Sequence, residues 1–202
     1  TNELKYMDIQ SISLGSTSGF IARTGYTGEK GYEIYVPSSQ VTSLWQKIFE
    51  KAPTTGVIPA GLGARDTLRL ESCYLLHGSD MNHETTPLEV GLGWATKLSK
   101  GNFVGKDVLV QQKEKGLRQK LYGFLMEDSA VPRGQMEVFR QNEKIGVVTS
   151  GSVLPSVEAK GGLCLLKDTT LKVNDLIEIN VRGKHKKARI VKRPFYQANI
   201  KS

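Results

Sequence analysis

Between residues 23 and 33 the chain reads Arg-Thr-Gly-Tyr-Thr-Gly-Glu-Lys-Gly-Tyr-Glu, and here the residue types could do the most chemistry. Three glycines allow a sharp turn or a close approach of backbone to a ligand. Tyr26 offers a flat face for stacking and a hydroxyl for hydrogen bonding. Glu33 supplies a carboxylate that can accept two parallel hydrogen bonds from the amidine-like edge of a heterocycle. An ordinary β-turn followed by a surface glutamate uses the same residue types, so the stretch alone leaves both readings open.

A second candidate is Gly-Leu-Gly-Ala-Arg-Asp-Thr-Leu-Arg-Leu-Glu at 61–71. Asp66 stands three residues before Arg69, the spacing of a helix-surface ion pair. That pairing leaves Arg65 to meet an anion or a polar ligand, or simply to face water. Elsewhere the chemistry thins out. His77, His83 and His185 share no metal-ligand spacing with each other or with Cys73 and Cys164, so no metal site is expected. No serine sits in a nucleophile elbow, and the sequence holds neither a phosphate loop nor a dinucleotide fingerprint.

The elements that must position these residues follow from periodicity. Residues 19–23 and 32–36 read as strands, the second with Tyr32, Ile34 and Val36 on one face and Glu33 and Tyr35 on the other. Ser38 or Ser39 can cap a helix in which Val41, Leu44, Trp45, Ile48 and Phe49 form one apolar stripe, with Pro53 and Gly56 ending it. A second helix spans about 62–73. Residues 78–93 lack clear period and read as loop with short strands. A short helix covers 105–114, and 113–118 is a polar hinge. Beyond it the texture changes to six short strands, at 121–126, 136–140, 144–149, 163–166, 176–181 and 187–191, which suggest a small closed barrel. The boundary falls near residue 116, giving domains 1–115 and 116–202.

Composition bounds the rest. At 202 residues with 39% hydrophobic, the chain holds enough apolar material for one or two domains and is not of the disordered class. No apolar run approaches the roughly 20 residues that span a bilayer, and no basic-then-apolar leader opens the sequence. Two cysteines are too few for a disulfide framework, so a reducing compartment is expected. Net charge is +8 and lies wholly in the second half: residues 1–115 hold 12 basic and 12 acidic side chains, residues 116–202 hold 16 and 8. Seven cations crowd 182–193 without an acid. A solvated hairpin accounts for them, and so does a patch that grips RNA or another polyanion. Against RNA stands the scarcity of stacking aromatics, with only Phe195 and Tyr196 nearby.

Five motifs occur together in order: 23–34, 61–71, Gly-x-Asp at 78–80, Thr-Pro-Leu-Glu at 86–89 and Gly-x-Phe-x-Gly-Lys-Asp at 101–107, with Pro194-Phe195 near the end. In this the chain resembles the aminomethyltransferase (T-protein) family of the glycine cleavage system, over about residues 15–196. The resemblance implies an α+β folate-binding body followed by a small Greek-key β-barrel, and tetrahydrofolate as acceptor substrate, with no metal. It implies transfer of the aminomethyl-derived carbon from the lipoyl arm of the H-protein to tetrahydrofolate, with release of ammonia. On matching motif positions Glu33 would bind the pterin edge, Tyr26 would line the pterin pocket and Arg65 would contact the folate. Tyr196 lies near where the family's C-terminal tail approaches the ligand.

The family's catalytic aspartate comes from a region before these motifs, and only 22 residues precede Arg23 here, so no catalytic residue is assigned. The chain then looks like the C-terminal part of such an enzyme, by truncation, proteolysis or a split gene. His77 stands where the family usually has Tyr. The expected setting is the bacterial cytoplasm, or the mitochondrial matrix in a eukaryote. Two relatives offer rival readings. A folate-binding protein of iron–sulfur cluster assembly carries Lys-Gly-Cys-Tyr-x-Gly-Gln-Glu, whereas residues 100–107 here contain no cysteine. Demethylating oxidases place the same folate-binding module behind a flavin domain.

Overall fold

The computed structural model describes residues 4–197 as two compact units, one running to Arg69 and one spanning Leu70–Tyr196. In the first, three antiparallel strands, β1 (Ile9–Leu14), β2 (Thr17–Ala22) and β3 (Glu33–Tyr35), form a sheet in that order. β1 is an addition to the sequence reading, because Ile-Gln-Ser-Ile-Ser-Leu carries two serines and a weak strand signature. β3 is shorter than the 32–36 expected. Register places Ala22 opposite Glu33 and Phe20 opposite Tyr35, so these four share one face of the sheet.

Helix α1 (Ser38–Glu50) follows. Its N-cap is Pro37, whose ring cannot supply a capping oxygen, and neither Ser38 nor Ser39 takes that role. The apolar stripe is present but mostly unburied. Only Leu44 is inside, while Val41 and Trp45 are 49% and 56% exposed. Pro53 does not end this helix; it opens the short α2 (Ala52–Thr55), which Gly56 closes with a left-handed φ of 71°. Helix α3 (Leu62–Glu71) follows, beginning in the first unit and ending in the second.

In the second unit, residues 72–105 contain turns and a single isolated bridge, His77 to Met81, before helix α4 (Lys106–Lys115). Six strands then close a barrel in the order β4-β7-β6-β5-β8-β9: β4 (Lys120–Met126), β5 (Glu137–Arg140), β6 (Glu143–Leu154), β7 (Ala159–Leu166), β8 (Leu176–Val181) and β9 (Lys184–Val191). The number of strands agrees with the sequence, although β6, β7 and β9 run longer than their apolar cores suggest. Two hairpins turn on two residues with positive φ, Gln141-Asn142 (52° and 67°) and Arg182-Gly183 (53° and 80°), the geometry that matches strand twist.

Alternation along the strands sends Phe124, Val138, Val148, Cys164, Leu166, Ile177, Ile179 and Ile190 into the barrel, where each is almost wholly buried. Burying such a side chain contributes about 1.5–3 kcal/mol. The opposite face of β4, β6 and β7 packs a second cluster, with Leu121, Leu154 and Leu163 against Leu70 and Val90 from the preceding segment. Closure requires Gly162, where a Cβ would lie 1.9 Å from the Ser150 carbonyl oxygen.

Candidate functional site

Glu33 opens β3, and its partner strand leaves the sheet one residue after Ala22. Continuing the pairing brings Thr24 diagonally beside Glu33 on the same face, and the Thr24 hydroxyl donates to Glu33 Oε2. Of the turn's three glycines only Gly28 has positive φ, at 79°. A Cβ on Gly25 or Gly31 would make ordinary contacts, the nearest at 4.0 and 3.6 Å, so those two are not required for the turn to close.

Tyr26 lies on the same loop, and the Arg65 guanidinium sits over its ring, 4.7 Å from the centroid. Arg65 is in the first turns of α3 and exposed to solvent. Its neighbour Asp66 is occupied by Arg69, whose Nε donates to Asp66 Oδ1 at 2.7 Å. The structure thus brings Tyr26 to Arg65 and Thr24 to Glu33. With Arg65 on one face of the Tyr26 ring, stacking on a ligand falls to the other face. Thr24 was not singled out from the sequence. The available signal was the strand register, which a single sequence does not supply.

Several motif carboxylates serve structure. Asp80 is buried and accepts from the Leu76 amide (2.9 Å) and the Thr149 hydroxyl (2.6 Å) on β6. Glu71 is buried, accepts the Ser156 amide at 2.8 Å, and offers its carbonyl to the amides of Phe195 and Tyr196. Tyr196 is therefore held in the second unit by backbone bonds at the end of α3. Glu89 is wholly buried. Its carboxylate accepts from the Thr86 amide (3.0 Å), Arg118 Nε (2.9 Å) and Gln119 Nε2 (3.4 Å), while its own amide donates to Thr86 Oγ1. Thr86-x-x-Glu89 is a capping box, a pattern readable in the sequence and passed over there.

Several cations of 182–193 have partners outside the stretch. Arg189 pairs with Glu127, His185 with Glu178, and Arg193 lies along Gly91 and Gly123. Lys184 and Lys192 are exposed and Lys186 is half-buried, and none of the three makes an ion pair with a described residue. The His77 and His83 rings approach edge-on at 5.3 Å, and the described residues hold no group of three or more side chains able to ligate a metal. Both cysteines are free. Burial pushes the Cys164 thiol far up, and pushes the Tyr122 phenol up to about 12 with Asp168 adding to it.

An α+β body ahead of a closed six-stranded barrel defines a class, and comparison with known proteins gives it a name. Residues 1–100 match the family model described as the GCVT N-terminal domain, and residues 119–197 match the glycine cleavage T-protein C-terminal barrel domain. An aminomethyltransferase of Pseudothermotoga lettingae is 43% identical over 201 residues, all of this chain and 55% of that protein. One from Caldanaerobacter subterraneus subsp. tengcongensis is 45% identical over 190 residues, 94% of this chain and 51% of that protein. The crystal structure of glycine cleavage system aminomethyltransferase T from Bartonella henselae superposes with a TM-score of 0.86 at 30% identity, over 98% of this chain and 54% of that one. The chain belongs to the glycine cleavage T-protein family. It spans about half the length of the curated relatives it matches.

Proposed function

We propose that this chain takes part in tetrahydrofolate-dependent aminomethyl transfer, receiving the one-carbon unit from a lipoylated H-protein with release of ammonia. The observation that carries the reading is its 43% identity, along its whole length, to an aminomethyltransferase. The local geometry supports it. Glu33 is fixed by Thr24 and keeps acceptor capacity on its other carboxylate oxygen, suited to the two donors on a pterin edge. Tyr26 would form a wall of the pterin pocket, with Arg65 placed by its ring to contact the folate. Tyr196 would approach the ligand from the C-terminal segment. Residues 1–115 would be the C-terminal part of the folate-binding domain and 116–202 its barrel, in a cytoplasmic or matrix protein. Tetrahydrofolate is a substrate here and no metal enters the scheme.

No carboxylate of this chain is given the catalytic role. Asp66 is committed to Arg69, and Asp80 is buried in the contact with Thr149. The 202-residue chain is therefore expected to release no ammonia from aminomethylated H-protein. Glu33→Gln should cost about 1.5–3 kcal/mol of tetrahydrofolate affinity, the scale of charge-assisted hydrogen bonds. Unchanged affinity in that variant, read by ligand-observed NMR titration, would remove Glu33 from the site. Substantial ammonia release by the chain alone would show that a catalytic group has been overlooked in it.

A further inference from the structure

We infer that Thr24 is a positioning residue for ligand recognition, holding the Glu33 carboxylate in the orientation that meets two parallel donors. The inference rests on the folate reading of Glu33 and goes beyond it, because Glu33 by itself is a poor anchor. A half-buried glutamate at the start of a three-residue strand has three side-chain torsions, and ordering it costs rotamer entropy that binding must offset. Thr24 removes part of that cost in advance. Its hydroxyl donates to Glu33 Oε2, and its β-branched side chain is stiff at χ1, so the donor stays in place.

The bond leaves recognition capacity intact. An ionised carboxylate has two oxygens with about four lone-pair sites. Thr24 takes one on Oε2, leaving another there and both on Oε1. The paired face matters too: Ala22 is opposite Glu33 and too small to cover it, and Gly31 faces Thr24 without a side chain. Thr24 is therefore the side chain shown to fix Glu33 from within the sheet and its turn.

The test is a double-mutant cycle in the 202-residue chain, with tetrahydrofolate as probe at millimolar concentrations and binding read by ligand-observed NMR. Thr24→Val, nearly the same shape without a donor, should weaken binding about three- to tenfold, the scale of one hydrogen bond. Thr24→Ser should restore most of the loss. In the Glu33→Gln background Thr24→Val should change affinity less than twofold, because the carboxylate it positions is gone. Thermal unfolding of each variant reports folding separately. If Glu33→Gln weakens binding but Thr24→Val matches the parent, the inference about Thr24 fails while the folate reading stands. Equal losses from Thr24→Val in both backgrounds would make Thr24 merely structural. If Glu33→Gln or the parent shows no effect or no binding, the folate reading itself falls and takes the inference with it.

Discussion

Glu89 lies in the Thr-Pro-Leu-Glu motif, and its position makes a sharp claim: the motif is a clamp, and breaking it should cost stability without touching ligand affinity. The carboxylate is 0% exposed and accepts three donors, the Thr86 amide, Arg118 Nε and Gln119 Nε2. Glu89→Gln keeps one acceptor oxygen, turns an NH2 toward a group that already donates, and removes the charge. Hydrogen bonds to a charged group contribute about 1.5–3 kcal/mol, and one such bond is lost outright. The attraction to Arg118 adds little, since that side chain is 60% exposed and exposed pairs are worth about 0–1 kcal/mol. The expected loss is about 2–3 kcal/mol, or a drop in Tm of about 6–12 °C for a unit of this size.

Arg118→Met attacks the clamp from the other side and leaves a buried carboxylate with one donor fewer. It should cost about as much as Glu89→Gln, and the double variant clearly less than the sum. Calorimetric and denaturant unfolding give the numbers, and tetrahydrofolate titration gives the control, where affinity should stay within twofold of the parent. A Glu89→Gln protein that melts within 1 °C of the parent, or melts normally but loses ligand affinity, would refute the clamp.

Three further outcomes follow from other parts of the molecule. If Arg65 contacts the folate as proposed, Arg65→Lys should raise the Kd for tetrahydrofolate several-fold, because a lysine lacks the forked donors that could meet the folate from over the Tyr26 ring; an unchanged Kd would make Arg65 a surface residue. Tyr122 has its phenol raised by burial from 10.0 to about 12, so the neutral form's stabilising contribution is complete below about pH 10 and is lost as pH climbs toward 12. Tyr122→Phe should leave stability at pH 7 within about 1 kcal/mol, since the buried hydroxyl makes no well-aligned hydrogen bond among the described residues and has only a weak contact with the Leu171 backbone to lose, and should flatten the fall between pH 10 and 12; an equally steep fall would reject the assignment. Reversing Lys184, Lys186 and Lys192 to Glu should slow association with an acidic carrier protein at low salt and hardly at all at high salt, measured by stopped-flow. Equal rates at every ionic strength would leave the patch to solvation.

What the sequence determined by itself is what local physics writes into short windows. In the strand at 176–181, Ile177, Ile179 and Val181 alternate with Glu178 and Asn180; the first two are buried and Val181 is half-buried. The strands read from the sequence leave turns at 141–143 and at Arg182-Gly183; the structure pairs Glu143 with Arg140, so the first closes on Gln141-Asn142 alone, and both turn with the positive φ that two-residue hairpins need. Asp66 and Arg69, three apart on a helix, meet as that spacing requires. The ordered motifs carried the family.

Tertiary structure decided what depends on partners distant in sequence. The stripe on α1 is correctly periodic, yet periodicity only marks which side chains would be covered together, and Val41 and Trp45 remain exposed. Glu33 and Glu89 are both motif glutamates. One ends up half-buried and bonded to Thr24; the other is sealed under Arg118 and Gln119, some 30 residues further along the chain. Thr24 reaches Glu33 only because β2 and β3 pair in one register, and slipping that register by one residue would turn Glu33 to the other face. Burial, hydrogen-bond satisfaction and register are properties of pairs of segments, and a glutamate's own letter specifies none of them.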